Sequence, residues 1–370
     1  MKKSLLALAV AAVAASSVAS AATVYDQDGT SMAIYGRIQG VVYSQDTGMS
    51  KVANAAGDSS LQGSGRLGFN LRTPLTEGIA AFANAEWEMA DHKQRTNDNF
   101  KSRYMWVGAD FGQYGQLKAG RFEDAVKYVV KTTDIFDDWG CNGQLDNDDK
   151  RDGMFQYSWS GYGVDFNATY GTAKDNQQVD GAWLASAGET LDIKNSYAVS
   201  AGYTSPDVLF GPIAVKAGYG YARFQDDRNL SNAATASYDN YKQLAAALSW
   251  GSLNVGPYVA AVYSNRDFTM NGTTDDYAVQ GAEFVVAYGF ENGVSLRTGY
   301  EWMNFDQDNG ADVDAYTVPV YVNYKVTPNF NVWGEARFDA NTDDGAKGFK
   351  AVTGQNFEEN VYSVGARYTF

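Results

Sequence analysis

The chain is poor in the residues that usually carry out chemistry. Its 370 residues include one cysteine, one histidine and six prolines. A single cysteine closes no intramolecular disulfide, and one Cys with one His builds no Cys/His metal cluster. Bases are scarce too, 29 against 44 acids for a formal charge of −15, which argues against nucleic acid as a partner. No run of 18 apolar residues follows the N-terminal segment, so no membrane-spanning helix is available. What is plentiful is glycine and aromatics: 38 Gly, 25 Tyr, 19 Phe and 8 Trp. With few helix formers in runs, that composition leans to an all-β chain. Length alone allows two or three domains, or one large barrel.

The first residues read as an export signal. Met1-Lys2-Lys3 is a short basic start, Leu5 to Val18 is apolar, and Ala19-Ser20-Ala21 has the small-x-small pattern of a cleavage site. Cleavage is expected after Ala21, giving a signal peptide over 1–21 and one barrel over 22–370. Loss of Lys2 and Lys3 leaves 27 bases against 44 acids, a charge of −17. An exported chain with one cysteine does not hold its fold by disulfides.

Beyond Ala22 the sequence alternates with period two. Ile34, Gly36, Ile38, Gly40 and Val42 interleave with Tyr35, Arg37, Gln39, Val41 and Tyr43. The same device returns at 67–71, 79–89, 164–170, 294–302, 316–324 and 362–370. Period two predicts strands with two unlike faces. The runs reach about ten residues or more, beyond the usual five or six. A soluble exported sandwich or propeller would have shorter strands. The polar face carries small residues beside isolated charges, which suits a wide, water-filled interior. Aromatics near strand ends (Trp87, Tyr104, Trp106, Trp159, Trp250, Trp302 and Phe370) are expected to form membrane-interface girdles.

Connections alternate in length. Short ones fall at 74–78, 112–115, 160–163, 205–212, 251–252, 291–292 and 326–329. Long ones fall near 46–60, 92–100, 123–150, 174–194, 225–240, 267–277, 307–313 and 343–357. Eight long and seven short connections imply sixteen strands. The fold class is therefore all-β: a 16-stranded antiparallel transmembrane barrel with long extracellular loops and short periplasmic turns. Closure leaves no unpaired edge, as a membrane requires.

Short motifs then become specific. The stretches Ala22-Thr23-Val24-Tyr25-Asp26-Gln27-Asp28-Gly29, Ile34-Tyr35-Gly36-Arg37, Gly65-Arg66-Leu67-Gly68-Phe69, Lys118-Ala119-Gly120-Arg121 and Gly365-Ala366-Arg367-Tyr368-Thr369-Phe370 resemble those of Gram-negative general diffusion porins, in order and across the mature length. The resemblance implies a passive channel for small hydrophilic solutes and ions, not an enzyme. It also implies a homotrimer in outer-membrane lipid and lipopolysaccharide, with no cofactor. In that family the third long loop folds into the barrel and narrows it, its acids facing a basic wall. Arg37, Arg66 and Arg103 match the wall positions, Lys118 shares their inward parity, and Lys150 or Arg151 matches a further one. Asp134, Asp137 and Asp138 lie where the loop's acidic cluster is expected. The family's Pro-Glu-Phe-Gly-Gly signature is absent, and Ile135-Phe136-Asp137-Asp138-Trp139-Gly140 stands in its place.

Facing charges in a narrow channel orient water and polar solutes. The acidic excess predicts cation selectivity, weakened by Asp137→Asn and Asp138→Asn. A solute-specific porin would need an aromatic slide, and none is evident in the third loop. A structural or adhesive barrel would have a filled or narrower lumen. Asp146, Asp148, Asp308 and Asp312 are weak candidates for divalent ions; neither acidic run has the full calcium-loop spacing. His92 has no Ser or Cys partner for a hydrolytic triad.

Overall fold

A computed structural model describes residues 21–44, 60–89, 100–145, 150–184, 190–225, 237–272 and 275–370. Residues 1–20 of the signal segment, His92, Asp146, Asp148 and Asp149 lie outside them. Eighteen strands are described: β1 (Ala22–Gln27), β2 (Thr30–Tyr43), β3 (Ser60–Thr76), β4 (Ile79–Met89), β5 (Lys101–Asp110), β6 (Gln116–Phe122), β7 (Arg151–Gly161), β8 (Val164–Gly171) and β9 (Lys174–Gln177) come first. Then follow β10 (Leu191–Val208), β11 (Gly211–Phe224), β12 (Tyr238–Gly251), β13 (Gly256–Met270), β14 (Tyr277–Gly289), β15 (Val294–Gln307), β16 (Asp312–Thr327), β17 (Phe330–Asp339) and β18 (Val361–Thr369).

Sixteen of these strands close on themselves. Each pairs antiparallel with the next, β8 pairs directly with β10, and β18 returns to β2. Gly36 and Phe370 exchange backbone hydrogen bonds at 2.8 and 3.0 Å, sealing the ring. The other two are short: β1 folds back along the start of β2, and β9 along the start of β10. Closure satisfies the backbone without an edge, the condition a sheet must meet to span lipid.

The outer face is apolar. Ile38, Leu61, Val107 and Val364 are each 60% exposed or more. That surface would be a liability in water and is stable against acyl chains. Two expected girdle residues are not on it. Tyr104 donates its hydroxyl to Glu123 in the lumen, and Lys118 Nζ lies 5.2 Å from the Trp106 ring. Near them the β4–β5 register shifts: Glu86 faces Tyr104, and Trp87 faces Ser102. Arg103 is left as the extra residue of a bulge, and bulges re-aim side chains.

The interior is not the uniformly wide, water-filled space that strand parity suggests. On the inner wall from β10 to β16, near the ends that carry the long connections, aromatic and aliphatic residues form a dry cluster around Phe224, Tyr241, Phe268, Tyr277 and Phe305. Trp183 from the β9–β10 connection and Phe349 and Phe357 from the β17–β18 connection cap it. That second cap includes α2 (Phe349–Thr353). Each buried large apolar side chain contributes roughly 1.5–3 kcal/mol, so the two connections are held inward by hydrophobic burial.

Candidate pore constriction

The third long connection leaves the wall at a second bulge. Register shifts between Gly120 and Phe122, and Gly120 has φ +142°. A Cβ there would collide with the Met105 carbonyl oxygen. Glycine is therefore what allows the chain to turn into the lumen here. Two ion pairs fix the base. Glu123 holds Lys150 at 3.2 Å and Asp124 holds Arg151 at 3.0 Å. Burial would raise the Glu123 carboxyl, but Lys150 and the Tyr104 hydroxyl outweigh it and hold it below the usual range. Lys150 and Arg151 thus sit at the root of the loop, not across the passage from it.

From this root the loop runs along the inner wall. Its one helical turn, α1 (Lys127–Val130), places Val126, Val129 and Val130 against Ala198, Ala245, Ala247 and Val262. Small wall residues opposite branched loop residues let the two backbones approach. The Tyr258 hydroxyl donates to the Thr132 carbonyl at 2.7 Å, and Arg297 donates to the Ile135 carbonyl.

Three wall glutamates then grip the tip and the returning arm. Glu335 accepts four successive backbone N–H groups, from Asp137, Asp138, Trp139 and Gly140, at 2.6–3.1 Å. Glu301 accepts from Cys141 N at 2.7 Å, from the Asn142 amide at 2.7 Å and from the Thr317 hydroxyl at 2.6 Å. Glu283 accepts from Gly143 N at 3.0 Å, from the Gln144 amide at 2.9 Å and from the Thr133 hydroxyl. A run of backbone N–H groups presented to one carboxylate is an anion-binding nest. The returning arm lies so close to β14 that a Cβ on Gly281 would strike the Gly143 carbonyl oxygen.

The tip carboxylates are used in the same anchoring. Asp137 meets Arg367 at 2.8 Å and accepts the Tyr321 hydroxyl at 2.6 Å. Burial opposes its charge, yet Arg367, Tyr321 and Arg37 keep it below the usual carboxylate range. Asp138 accepts from Tyr43 (3.2 Å), Trp333 Nε1 (2.9 Å) and Ser363 (2.6 Å). Burial, with Asp137 adjacent, lifts its carboxyl above the usual range despite those donors. Asp134 is the most exposed of the three; it lies 3.5 Å from Lys127 and accepts the Cys141 thiol at 3.3 Å. Burial and Asp134 push that thiol up, so it is protonated.

The loop is bound to β8, to the wall from β10 to β18 and to Tyr43 of β2, and the inner face of β2–β5 carries charge. Arg37 and Arg66 stand opposite each other on β2 and β3. Glu88 bridges Arg66 and Arg103, both at 3.0 Å, and Glu86 takes Arg103 at 2.9 Å. The wall therefore carries alternating charge rather than bare arginines. On the loop, Lys131 and Asp134 are exposed and Lys127 is half-buried. Sequence reasoning missed Glu283, Glu301 and Glu335, although an ionisable residue at inward parity in a spanning strand is itself a signal. Asp308 and Asp312 gather no third ligand: among the described residues no cluster of three His, Cys, Asp or Glu could hold a metal.

A closed sixteen-strand barrel with a loop bound across its lumen has known counterparts. The family model described as Gram-negative porin matches residues 7–345. The chain belongs to that family. It is 28% identical to the porin-like protein L of Photobacterium profundum over the full length of both. It is 26% identical to the outer membrane porin protein OmpD of Salmonella typhimurium, again over the full length of both. In structure it is similar to Salmonella typhi OmpF, solved with daunomycin, at a TM-score of 0.72 and 20% identity, covering 94% of this chain and 100% of the other. Porins are passive channels of the outer membrane, and this porin is not an enzyme.

Proposed function

We propose that this porin lets small hydrophilic solutes and ions diffuse through a charge-lined constriction between its third loop and the β2–β5 wall. The observation that carries the reading is the loop itself, hydrogen-bonded across the inside of a closed barrel by three glutamates. A loop so fixed narrows a lumen without sealing it. The long connections face the cell exterior and the short turns the periplasm. The protein is exported behind a cleaved segment, assembles as a homotrimer, and meets lipid and lipopolysaccharide with its apolar outer face.

Cations are favoured over anions. Support comes from the acidic excess and from exposed acids on the long-connection rim, among them Asp306, Asp308, Asp312, Asp343, Asp344 and Glu359. Asp137 and Asp138 contribute less, because both are tied into the wall. In planar bilayers, reconstituted protein should give ohmic conductance steps in triplets. A KCl gradient should give a reversal potential of cation sign. A silent bilayer would overturn the channel reading in favour of a structural barrel, and an anion-sign potential would overturn the charge argument.

A further inference from the structure

Beside the loop root, on the side away from the anchored tip, three lysines from three separate elements converge. Lys118 comes from β6, Lys131 from the end of α1, and Lys216 from β11. Lys131 Nζ lies 5.5 Å and Lys216 Nζ 4.6 Å from the Tyr128 ring centre, so the two ammoniums are within about 10 Å of each other. Lys118 Nζ lies 4.2 Å from the Phe122 ring and 5.2 Å from Trp106, drawn by Glu123 and repelled by Lys131. Lys216 also donates to the Thr132 hydroxyl at 3.1 Å.

The nearby carboxylates act on the lysines only from a distance: Glu123 attracts Lys118 and Lys131, and Asp165 attracts Lys131 and Lys216, while their oxygens are bonded to other partners. Asp165 takes the Tyr128 hydroxyl at 2.8 Å, Glu123 takes Lys150 and the Tyr104 hydroxyl, and Asp134 takes Lys127 and the Cys141 thiol. Among the described residues, no carboxylate oxygen lies within ion-pairing distance of Lys118, Lys131 or Lys216. Aromatic rings support the three ammoniums and leave their remaining N–H donors for the passage. Like charges gathered this way in a narrow channel repel one another, and a multiply charged anion relieves that repulsion.

We propose that Lys118, Lys131 and Lys216 form a transient binding station for oxyanions carrying two or more charges, of the phosphate class, inside the pore. The station rests on the diffusion reading above and adds to it a local site of sign opposite to that of the acidic mouth. Phosphate is a natural match for lysines acting as point charges. The residence must be short, because conduction requires a site that releases its occupant.

The test is single-channel recording of the intact protein in KCl with sodium pyrophosphate added to one side. The expected result is concentration-dependent current flicker, absent when chloride is added to equal ionic strength. Lys131→Gln with Lys216→Gln should weaken the blocking constant about tenfold, the weight of lost charge-assisted contacts. Lys131→Arg with Lys216→Arg should largely restore it. Lys242→Gln, on the exposed outer face of β12, should leave it unchanged. If wild-type pores conduct KCl but pyrophosphate acts no differently from chloride, the station is wrong. The same follows if block persists unaltered in conducting glutamine variants. Absence of any conductance would instead overturn the diffusion reading, and the station with it.

Discussion

At the level of single residues, the deciding groups are the ones that hold the loop, not the ones that line the water. Glu335 satisfies four backbone N–H groups with two oxygens. In Glu335→Gln one of those oxygens becomes an NH₂ facing backbone donors. Hydrogen bonds to a charged group are worth about 1.5–3 kcal/mol each, so the variant should loosen the tip by about 3 kcal/mol. Increased open-channel noise, with the barrel still folded by circular dichroism, is the expected readout; Glu335→Gln traces as quiet as the wild type's would count against the clamp. Asp137 gives a pH prediction. Its folded-state pKa is depressed, so its stabilisation of the tip is fully present above its unfolded pKa, near 3.9. That stabilisation is lost as pH falls through the lower folded value. Asp138 has the opposite sign: its pKa is raised, so its contribution is greatest in acid and declines as pH rises through the folded value. Lowering the pH through the folded value of Asp137 should therefore increase closures through release of Arg367 from Asp137. Asp137→Asn should show those closures already at neutral pH, with its reversal potential little changed. Closures that ignore pH in the wild type would refute this assignment.

Among the elements, the third loop shows how much of a site can be read from sequence and where reading stops. Its position, its length and the inward parity of Arg37, Arg66 and Lys118 follow from period-two alternation, which is local. Its route does not. The Asp137 amide and Glu335 are 198 residues apart in the chain, and only closure of the ring brings them together. The bulge at Arg103 was equally hidden, because one extra residue in a strand changes which way Tyr104 points without changing composition. The valines of α1 make a separable prediction. Val126→Ala with Val130→Ala removes four buried carbons from the loop's apolar footing, about 3 kcal/mol. The loop should become cleavable by protease in detergent while the barrel stays intact. Resistance equal to wild type would mean that the glutamate clamp alone holds the loop.

For the whole molecule, hydrophobic burial serves two sides of one sheet. Outside, apolar residues face lipid; inside, part of the wall is dried by its own connections. Phe349 is fully buried beneath Trp183. Phe349→Ala should cost about 3–5 kcal/mol of local packing and free the β17–β18 connection from the mouth. Conductance should rise, and larger polymers should enter, as measured by polymer exclusion. An unchanged exclusion limit would place the narrowest section wholly at the third loop.

By itself, the sequence determined the barrel. Alternation sets two faces, connection length sets strand number, and lipid requires closure, so sixteen strands follow from local chemistry alone. Only the tertiary structure decided which charges meet. Asp137 and Asp138 became anchors, Glu86 and Glu88 neutralised two wall arginines, and three lysines were left facing the passage. The physical reason is that charge pairing depends on distance in space. In a closed ring that distance is fixed by register and by the path of a loop, neither of which period two encodes.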